Sequence, residues 1–391
     1  MSQIDLRFEP APVPPNAANL RAEVRAFLAD MRARGIYQPG PAGWAEVNRA
    51  FCLELGKRGW LGMTWPKQYG GHERSAIERY IVTEELLANG APIRAIQAGD
   101  RQNGPLILHY GTEWQKQTFL PRLASGEASC AIGLSEPDSG SDLAGIRTRA
   151  VKVDGGWRVN GRKVWTSGAH YSQYMTLLAR TGDVGGERHA GMTRFLVDLS
   201  WSGITIQPIL HMTGEHDFNE VSYDEVFVPD EMVIGEVGQA WQQLGMELAH
   251  ERSSPDRWTA QLHVLAGLLD HLDEDADRLS AQAAGRLVAH LWALQNMSAS
   301  VAWMLERGLN PSIEASIVKD LGTHYEQEIP HVARALLGEG ERAELSQDDT
   351  FPPFLKYNLL FAPALTIRGG TCEMLRNNIP AAWAFAEGNA P

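Results

Sequence analysis

Apolar positions in the first third of the chain recur with the helical period. Val24, Phe27, Leu28 and Met31 fall at i, i+3, i+4 and i+7, which places them on one helix face. "RYIVTEELLANG" repeats that period and runs into Asn89-Gly90, a pair suited to a helix C-cap because both residues tolerate positive φ. "GWLGMTWPKQYGG", with Pro66 and its glycines, predicts a loop between helices. Near Cys130 the period changes to two. "AVKVDGGWRVNGRKVWTSG" alternates and contains Asp154-Gly155 and Asn160-Gly161, dipeptides that predict hairpin turns because a type I′ turn needs positive φ at both central residues. "YMTLLARTG", "TRFLVDLS", "GITIQPIL" and "NEVSYDEVFVP" predict further strands. From Trp241 the helical period returns. It is longest over 283–306 and 312–337, and Pro311 opens the second of these stretches.

The order is therefore all-α, all-β, all-α, with domains expected at 1–125, 126–236 and 237–391. The alternation of strand and helix that a parallel doubly wound sheet requires is missing, and no GxGxxG follows a strand.

Composition narrows the function. A net charge of −13 argues against a nucleic-acid surface. Cys52, Cys130 and Cys372 lie far apart and form no CxxC pair, which suits a reduced, cytoplasmic protein. "MSQIDLRFEPAPVPPN" carries acids and prolines where a secretory signal would be apolar, and no uncharged apolar run approaches the ~18–20 residues of a membrane span. His211 and His216 in "HMTGEHDF" lack metal-ligand spacing, so no metal site is expected.

Two stretches carry candidate chemistry. "LSEPDSGSDLAG" (134–145) gathers Ser135, Ser139, Gly140, Ser141 and Asp142. Its small residues let backbone N–H groups approach a planar polar ring or a phosphate. "VWTSGAHY" sets Trp165 and Ser167 two residues apart, which on a strand puts both on one face. Taken singly, each also has a plain explanation, a solvated Gly/Ser loop and a core tryptophan beside a satisfied serine.

Together, and in this order, "YGTEWQKQTFLPRLASGE", "AIGLSEPDSGSDLAGIRTRA", "WRVNGRKVWTSGAHY", "FNEVSYDEVFVP" and "RGGTCEMLR" resemble segments of the acyl-CoA dehydrogenase family over nearly the whole chain. The resemblance implies an α+β multidomain fold with a helical N-domain, an antiparallel β-barrel-like middle domain and a C-terminal four-helix bundle. It implies FAD, with Leu134 and Ser135 on the isoalloxazine ring, Gly140 and Ser141 nearby, Trp165 flanking the ring, and Ser167 bonded near N5. Thr371 and Glu373 match positions that contact the FAD linker, and Ser141 also matches a substrate-side position.

The family reaction removes a Cα proton and a Cβ hydride from an acyl-CoA thioester to give the trans-2-enoyl-CoA. A backbone N–H at the position of Gly369 donates to the thioester oxygen. Many members carry the catalytic glutamate at that same position. Others, of the isovaleryl and long-chain type, carry it in a Glu-Arg pair on an early helix of the C-terminal domain. "GMELAHERSSPDRW" supplies that pair, so Glu251 is the expected base and Arg252 a substrate-side residue, with Glu247 one turn earlier as the alternative. Small residues at Gly369 and Gly370 would leave room for a branched or bulky acyl chain.

The resemblance has gaps. The family's Arg-x-x-Phe-Gly and Gly-Gly-x-Gly stretches, which reach a neighbouring subunit's FAD, have no counterpart. "DHLDEDADRLSAQAAGR" and "HVARALLGEGERAELSQDD" stand in their places. A homo- or hetero-oligomer is expected (dimer or tetramer, α2β2 included), with electron-transfer flavoprotein as acceptor and a place in fatty-acid β-oxidation or steroid side-chain catabolism. The alternatives are a non-catalytic, FAD-poor partner subunit and an oxygen-using flavin oxidase or monooxygenase of the same fold. Neither a nucleic acid nor a membrane is expected as a partner.

Overall fold

A computed structural model of the chain describes residues 6–40, 42–182, 188–252, 254–272, 277–337, 351–377 and 379. The helices in chain order are α1 (Ala17–Ala33), α2 (Arg49–Lys57), α3 (Ala76–Ala88), α4 (Arg94–Ala98), α5 (Gly104–Tyr110), α6 (Glu113–Ala124), α7 (Ala240–Arg252), α8 (Leu262–His271), α9 (Arg278–Glu306), α10 (Ser312–Leu337) and α11 (Phe351–Phe361). The strands are β1 (Cys130–Gly133), β2 (Arg149–Val153), β3 (Gly156–Lys163), β4 (Tyr174–Arg180), β5 (Met192–Asp198), β6 (Ile204–Leu210), β7 (His216–Pro229) and β8 (Val233–Ile234). They divide into two compact units. The first comprises Met1–Glu46, Ser75–Pro92 and Glu251–Pro391, and the second Val47–Arg74 and Ile93–His250.

In the first unit α1 buries Val24, Phe27, Leu28 and Met31, the stripe expected from the sequence, together with Leu20, and packs on α3. A capping box between Ser75 and Glu78 starts α3, and Asn89 with Gly90 at φ +63° ends it. The buried acids of α3 are neutralised from α1: Glu85 takes Arg21 at 2.8 Å and Arg25 at 2.8 Å. Further along, α10 packs against α8, α9 and α11. Among the described residues no helix is long and apolar enough to cross a membrane.

In the second unit the strands run β6-β7-β3-β2-β4-β5-β8, with β1 beside β4. This corrects the expected antiparallel barrel-like domain: the sheet is mixed and open. The reason lies at β4. Its far side pairs antiparallel with β5, while β1 and β2 share its other edge, both in parallel, through Cys130↔Tyr174 to Gly133↔Leu177 and through Arg149↔Arg180. The chain between β1 and β2, residues 134–148, holds one of the candidate loops, so the sheet is built around it. At one end of the order, β6 is largely exposed and carries Pro208, which has no N–H to offer a further strand. β4, in the middle, is buried at every residue rather than alternating.

Asp154-Gly155 forms the expected hairpin turn, closing β2 onto β3 at Val153↔Gly156. Asn160-Gly161 does not form one. It lies inside β3 at a register shift opposite β7, a bulge. A Cβ on Gly161 would sit 2.5 Å from Thr148 Oγ1 and 2.6 Å from Thr148 Cα, so this glycine serves close backbone approach rather than a turn.

Candidate functional site

The second unit brings the two candidate loops together. The loop after β1 folds back on itself at Glu136, whose N–H and C=O both bond Ser139, at 2.9 and 3.0 Å. Ser135 C=O accepts the N–H of Val164 at 2.9 Å, which ties this loop to the one after β3. A buried ion pair fixes the junction. Lys163 Nζ donates to Glu136 Oε1 at 2.8 Å and to the Leu134 carbonyl at 2.9 Å, and the same carboxylate accepts the N–H groups of Arg147 (2.6 Å) and Thr148 (2.9 Å). Burial raises the Glu136 carboxyl, but Lys163 and the N–H donors outweigh it and hold the group below the usual glutamate value. Burial likewise pushes Lys163 down to about 8. Leu134 and Ser135 are half-buried, while Gly140 and Ser141 are exposed and a Cβ on Gly140 would meet nothing within 4 Å.

Trp165 and Ser167 are not on a strand, as the alternation of "VWTSG" suggested. β3 ends at Lys163, and both residues belong to the following turn. Trp165 has φ +59° and is 55% exposed, with its ring edge-on to Phe218 at 5.9 Å. A bulky residue in the left-handed region costs about 1–3 kcal/mol and persists only when its surroundings over-determine it. Asn219, fully buried on β7, supplies that constraint. Its backbone exchanges both hydrogen bonds with Thr166 (3.0 and 3.1 Å), and its side-chain amide donates to the Thr166 carbonyl at 2.9 Å. His170 and His216 stack at 3.8 Å against the same amide, and His211 bonds Thr213, so these three histidines take part in packing and hydrogen bonds. The exposed indole, the hydroxyls of Ser135, Ser141 and Ser167 and the open backbone at Gly140 fit a flat, polar ring such as a flavin's.

The first unit assembles the C-terminal candidates. Gly369 (φ +65°) and Gly370 (φ +94°) turn the chain between a 3-10 segment, Ala362–Ile367, and helical residues 372–377. Glu251, on the last turn of α7, faces this turn: a Cβ on Gly369 would lie 3.1 Å from Glu251 Oε1 and 3.5 Å from Oε2. Arg252 donates to the Gly369 carbonyl at 2.9 Å and to Ser316 at 3.3 Å, and burial lowers its pKa. Thr371 caps the helical residues through its side chain to the N–H of Met374 at 3.2 Å, and Glu373 is exposed. Cys372 is buried, with Lys319 Nζ 3.7 Å from its sulfur and 2.9 Å from the Thr366 carbonyl. Burial pushes Lys319 down to about 8.

Glu247, the alternative base, is held inside the second unit by an ion pair with Arg194 of β5, and both side chains are almost fully buried. Of the stretches standing for the two absent motifs, 278–286 lies on α9, where Arg286 pairs with Glu328. Residues 338–349 lie outside the described residues.

Reading the sequence did not single out Glu136, Lys163, Asn219 or Arg257. The first three sit within the segments that carry the resemblance, and Arg257 follows Glu251 by six residues. Burial and pairing, which select them, are not visible in the order of residues.

Comparisons with known proteins give the family. The acyl-CoA dehydrogenase N-terminal domain family matches residues 14–127, and the acyl-CoA dehydrogenase middle domain family matches 131–226. Acyl-CoA dehydrogenase FadE34 of Mycobacterium tuberculosis is 35% identical over 92% of this chain, which spans 47% of that protein's length. Acyl-CoA dehydrogenase IpdE1 of the same organism is 33% identical over 92% of this chain and 95% of its own. Among solved structures, the Tcur3481-Tcur3483 steroid ACAD superposes with a TM-score of 0.84 at 26% identity, covering 99% of this chain and 100% of that one. With both domain families matched and a relative of equal length above 30% identity, this chain belongs to the acyl-CoA dehydrogenase family, a family of flavin-dependent oxidoreductases.

Proposed function

We propose that this chain is an FAD-dependent acyl-CoA dehydrogenase in which Glu251 takes the Cα proton of the thioester. The observation that carries this reading is the meeting of Glu251 with Gly369. The carboxylate oxygens lie 3.1 and 3.5 Å from where a Cβ on Gly369 would sit, so a base arriving from α7 reaches the neighbourhood that a side chain on residue 369 would enter. Only the position of the carboxylate matters for removing the proton.

In this reading the Gly369 N–H donates to the thioester oxygen. Cations around the turn, Arg252, Arg368 and Lys319, favour the negative charge that develops there. As the Cα–H pair forms the new double bond, the proton passes to Glu251 and a hydride leaves Cβ. FAD, when bound, supplies the hydride acceptor. Leu134, Ser135, Gly140, Ser141, Trp165 and Ser167 hold its ring, and Thr371 and Glu373 its linker. Arg252 orients the substrate side through the Gly369 carbonyl.

A bulky acyl group suits the two glycines, and the similar solved structure is named a steroid ACAD. A hetero-oligomer suits the absence of the two motifs that reach across subunits, and electron-transfer flavoprotein suits the acceptor role. The test is a panel of octanoyl-CoA, isovaleryl-CoA and a steroid propanoyl-CoA with an artificial acceptor, run on the purified yellow protein alone and with the product of the adjacent gene. Acyl-CoA-dependent bleaching of the flavin is expected, and it should be lost in Glu251→Gln. Bleaching at the wild-type rate in Glu251→Gln would remove Glu251 as base, and peroxide formed in step with turnover would favour an oxidase.

A further inference from the structure

The base has a holder that belongs to neither the flavin loops nor the Glu-Arg pair. Arg257 donates through Nη2 to Glu251 Oε1 at 2.6 Å and through Nε to the Glu251 carbonyl at 3.2 Å. One guanidinium therefore grips both the side chain and the main chain of the same residue. The carbonyl is one of the last of α7, a group that the helix itself leaves without a partner.

The two partners differ in freedom. Arg257 is 2% exposed, against 13% for the Glu251 side chain. It sits in a 3-10 turn, Pro255–Arg257, whose first residue is proline and which is followed by the fully buried Trp258. Gly322 of α10 presses on this turn so closely that a Cβ there would lie 2.3 Å from the Arg257 carbonyl oxygen. Arg257 is thus fixed by its packing, and Glu251 is the less buried member of the pair.

A glutamate at a helix end has three side-chain torsions to order, and a displacement of about 1 Å at a reacting group can cost about a hundredfold in rate. We infer that Arg257 is a positioning residue that locks the Glu251 carboxylate over Gly369 by gripping its side chain and its carbonyl together. The inference rests on Glu251 being the base. Other charged groups around it include Arg252, which adjoins Glu251, Asp256 at 3.9 Å from Arg257, Lys319, and the Glu326–Arg368 pair at 2.5 Å.

The test uses the flavin-loaded protein with any partner it purifies with. Flavin reduction is followed by stopped flow with octanoyl-CoA, isovaleryl-CoA and a steroid propanoyl-CoA. Arg257→Gln should reduce flavin about a hundredfold more slowly at saturation with little change in the acyl-CoA concentration giving half-maximal rate. Arg257→Lys, whose single ammonium cannot span both oxygens, should lose rate as well. In the Glu251→Gln background the further effect of Arg257→Gln should vanish, because the residue it acts through is gone. A loss of the same size in both backgrounds, or a rate within threefold of wild type for Arg257→Gln, overturns the inference. Wild-type flavin reduction by Glu251→Gln alone would instead overturn the reading beneath it. Should Arg257→Gln not fold, the crystal structure of Arg257→Lys decides independently of substrate. The Glu251 carboxylate is expected more than about 1 Å from its wild-type place, and an unmoved carboxylate overturns the inference.

Discussion

Glu251 and Gly369, 118 positions apart in the chain, meet so closely that a single added methyl on the glycine would lie 3.1 Å from the carboxylate oxygen. That contact makes the glycine as informative as the acid, and it sets the first prediction.

Gly369→Ala should be doubly unfavourable. At φ +65° an L side chain costs about 1–2 kcal/mol of backbone strain, and the methyl must displace Glu251 or be displaced by it. A lower Tm and a fall of about tenfold to a hundredfold in the rate of flavin reduction are expected. Stopped-flow reduction by the best acyl-CoA of the panel would show it, and an unchanged rate would separate the carboxylate from the chemistry.

Glu247 and Arg194 form a buried pair, so removing one partner strands a charge. Glu247→Ala should cost about 3–5 kcal/mol in chemical denaturation, and Arg194→Met with Glu247→Leu together much less. Glu247→Gln keeps the shape, and whatever fraction folds should reduce flavin at the wild-type rate. A loss as deep as that of Glu251→Gln would return Glu247 to the role of base.

Asn219 holds the strained Trp165 turn through the Thr166 carbonyl. Asn219→Ala removes that donor and the bonds to two histidines, at about 1–3 kcal/mol for buried groups left unpaired. Weaker FAD retention is expected, measured as flavin released on gel filtration, with activity recovered by added FAD. Full retention would mean that the turn is held by its backbone bonds alone.

Acid should loosen the loops after β1 and β3 before the rest of the second unit. The folded-state pKa of Glu136 lies below its ordinary value of 4.5, so its stabilisation is present above 4.5 and is lost as pH falls through the lower folded value. Protonation leaves Lys163 charged and buried without its partner. Flavin fluorescence should rise below pH ~4.5 in wild type, while Glu136→Gln should show weaker flavin binding already at neutral pH and a flatter acid response. Identical acid profiles would assign the release to other groups.

Much of this architecture was legible from local order. The stripe from Val24 to Met31, the Asn89-Gly90 stop and the Pro311 start all act over a few residues, where propensity and capping decide. The turn at Asp154-Gly155 was legible for the same reason. Asn160-Gly161 offers the same local chemistry yet forms a bulge, because Thr148 lies against Gly161 and leaves no room for a side chain. Trp165 alternates with its neighbours as a strand residue would, but the hydrogen bonds of Thr166 to Asn219, 53 positions away, hold it in a turn.

The order of residues by itself determined the α, β, α succession, the family and the identity of the acid beside Arg252, since each rests on short-range periodicity or a contiguous motif. Whether the sheet closes, and which arginine pairs with Glu247 and which grips Glu251, were decided only in three dimensions. Those outcomes depend on burial and on partners such as Arg194, Arg257 and Gly369. The energy of a buried charge is set by what packs around it rather than by what precedes it in the chain.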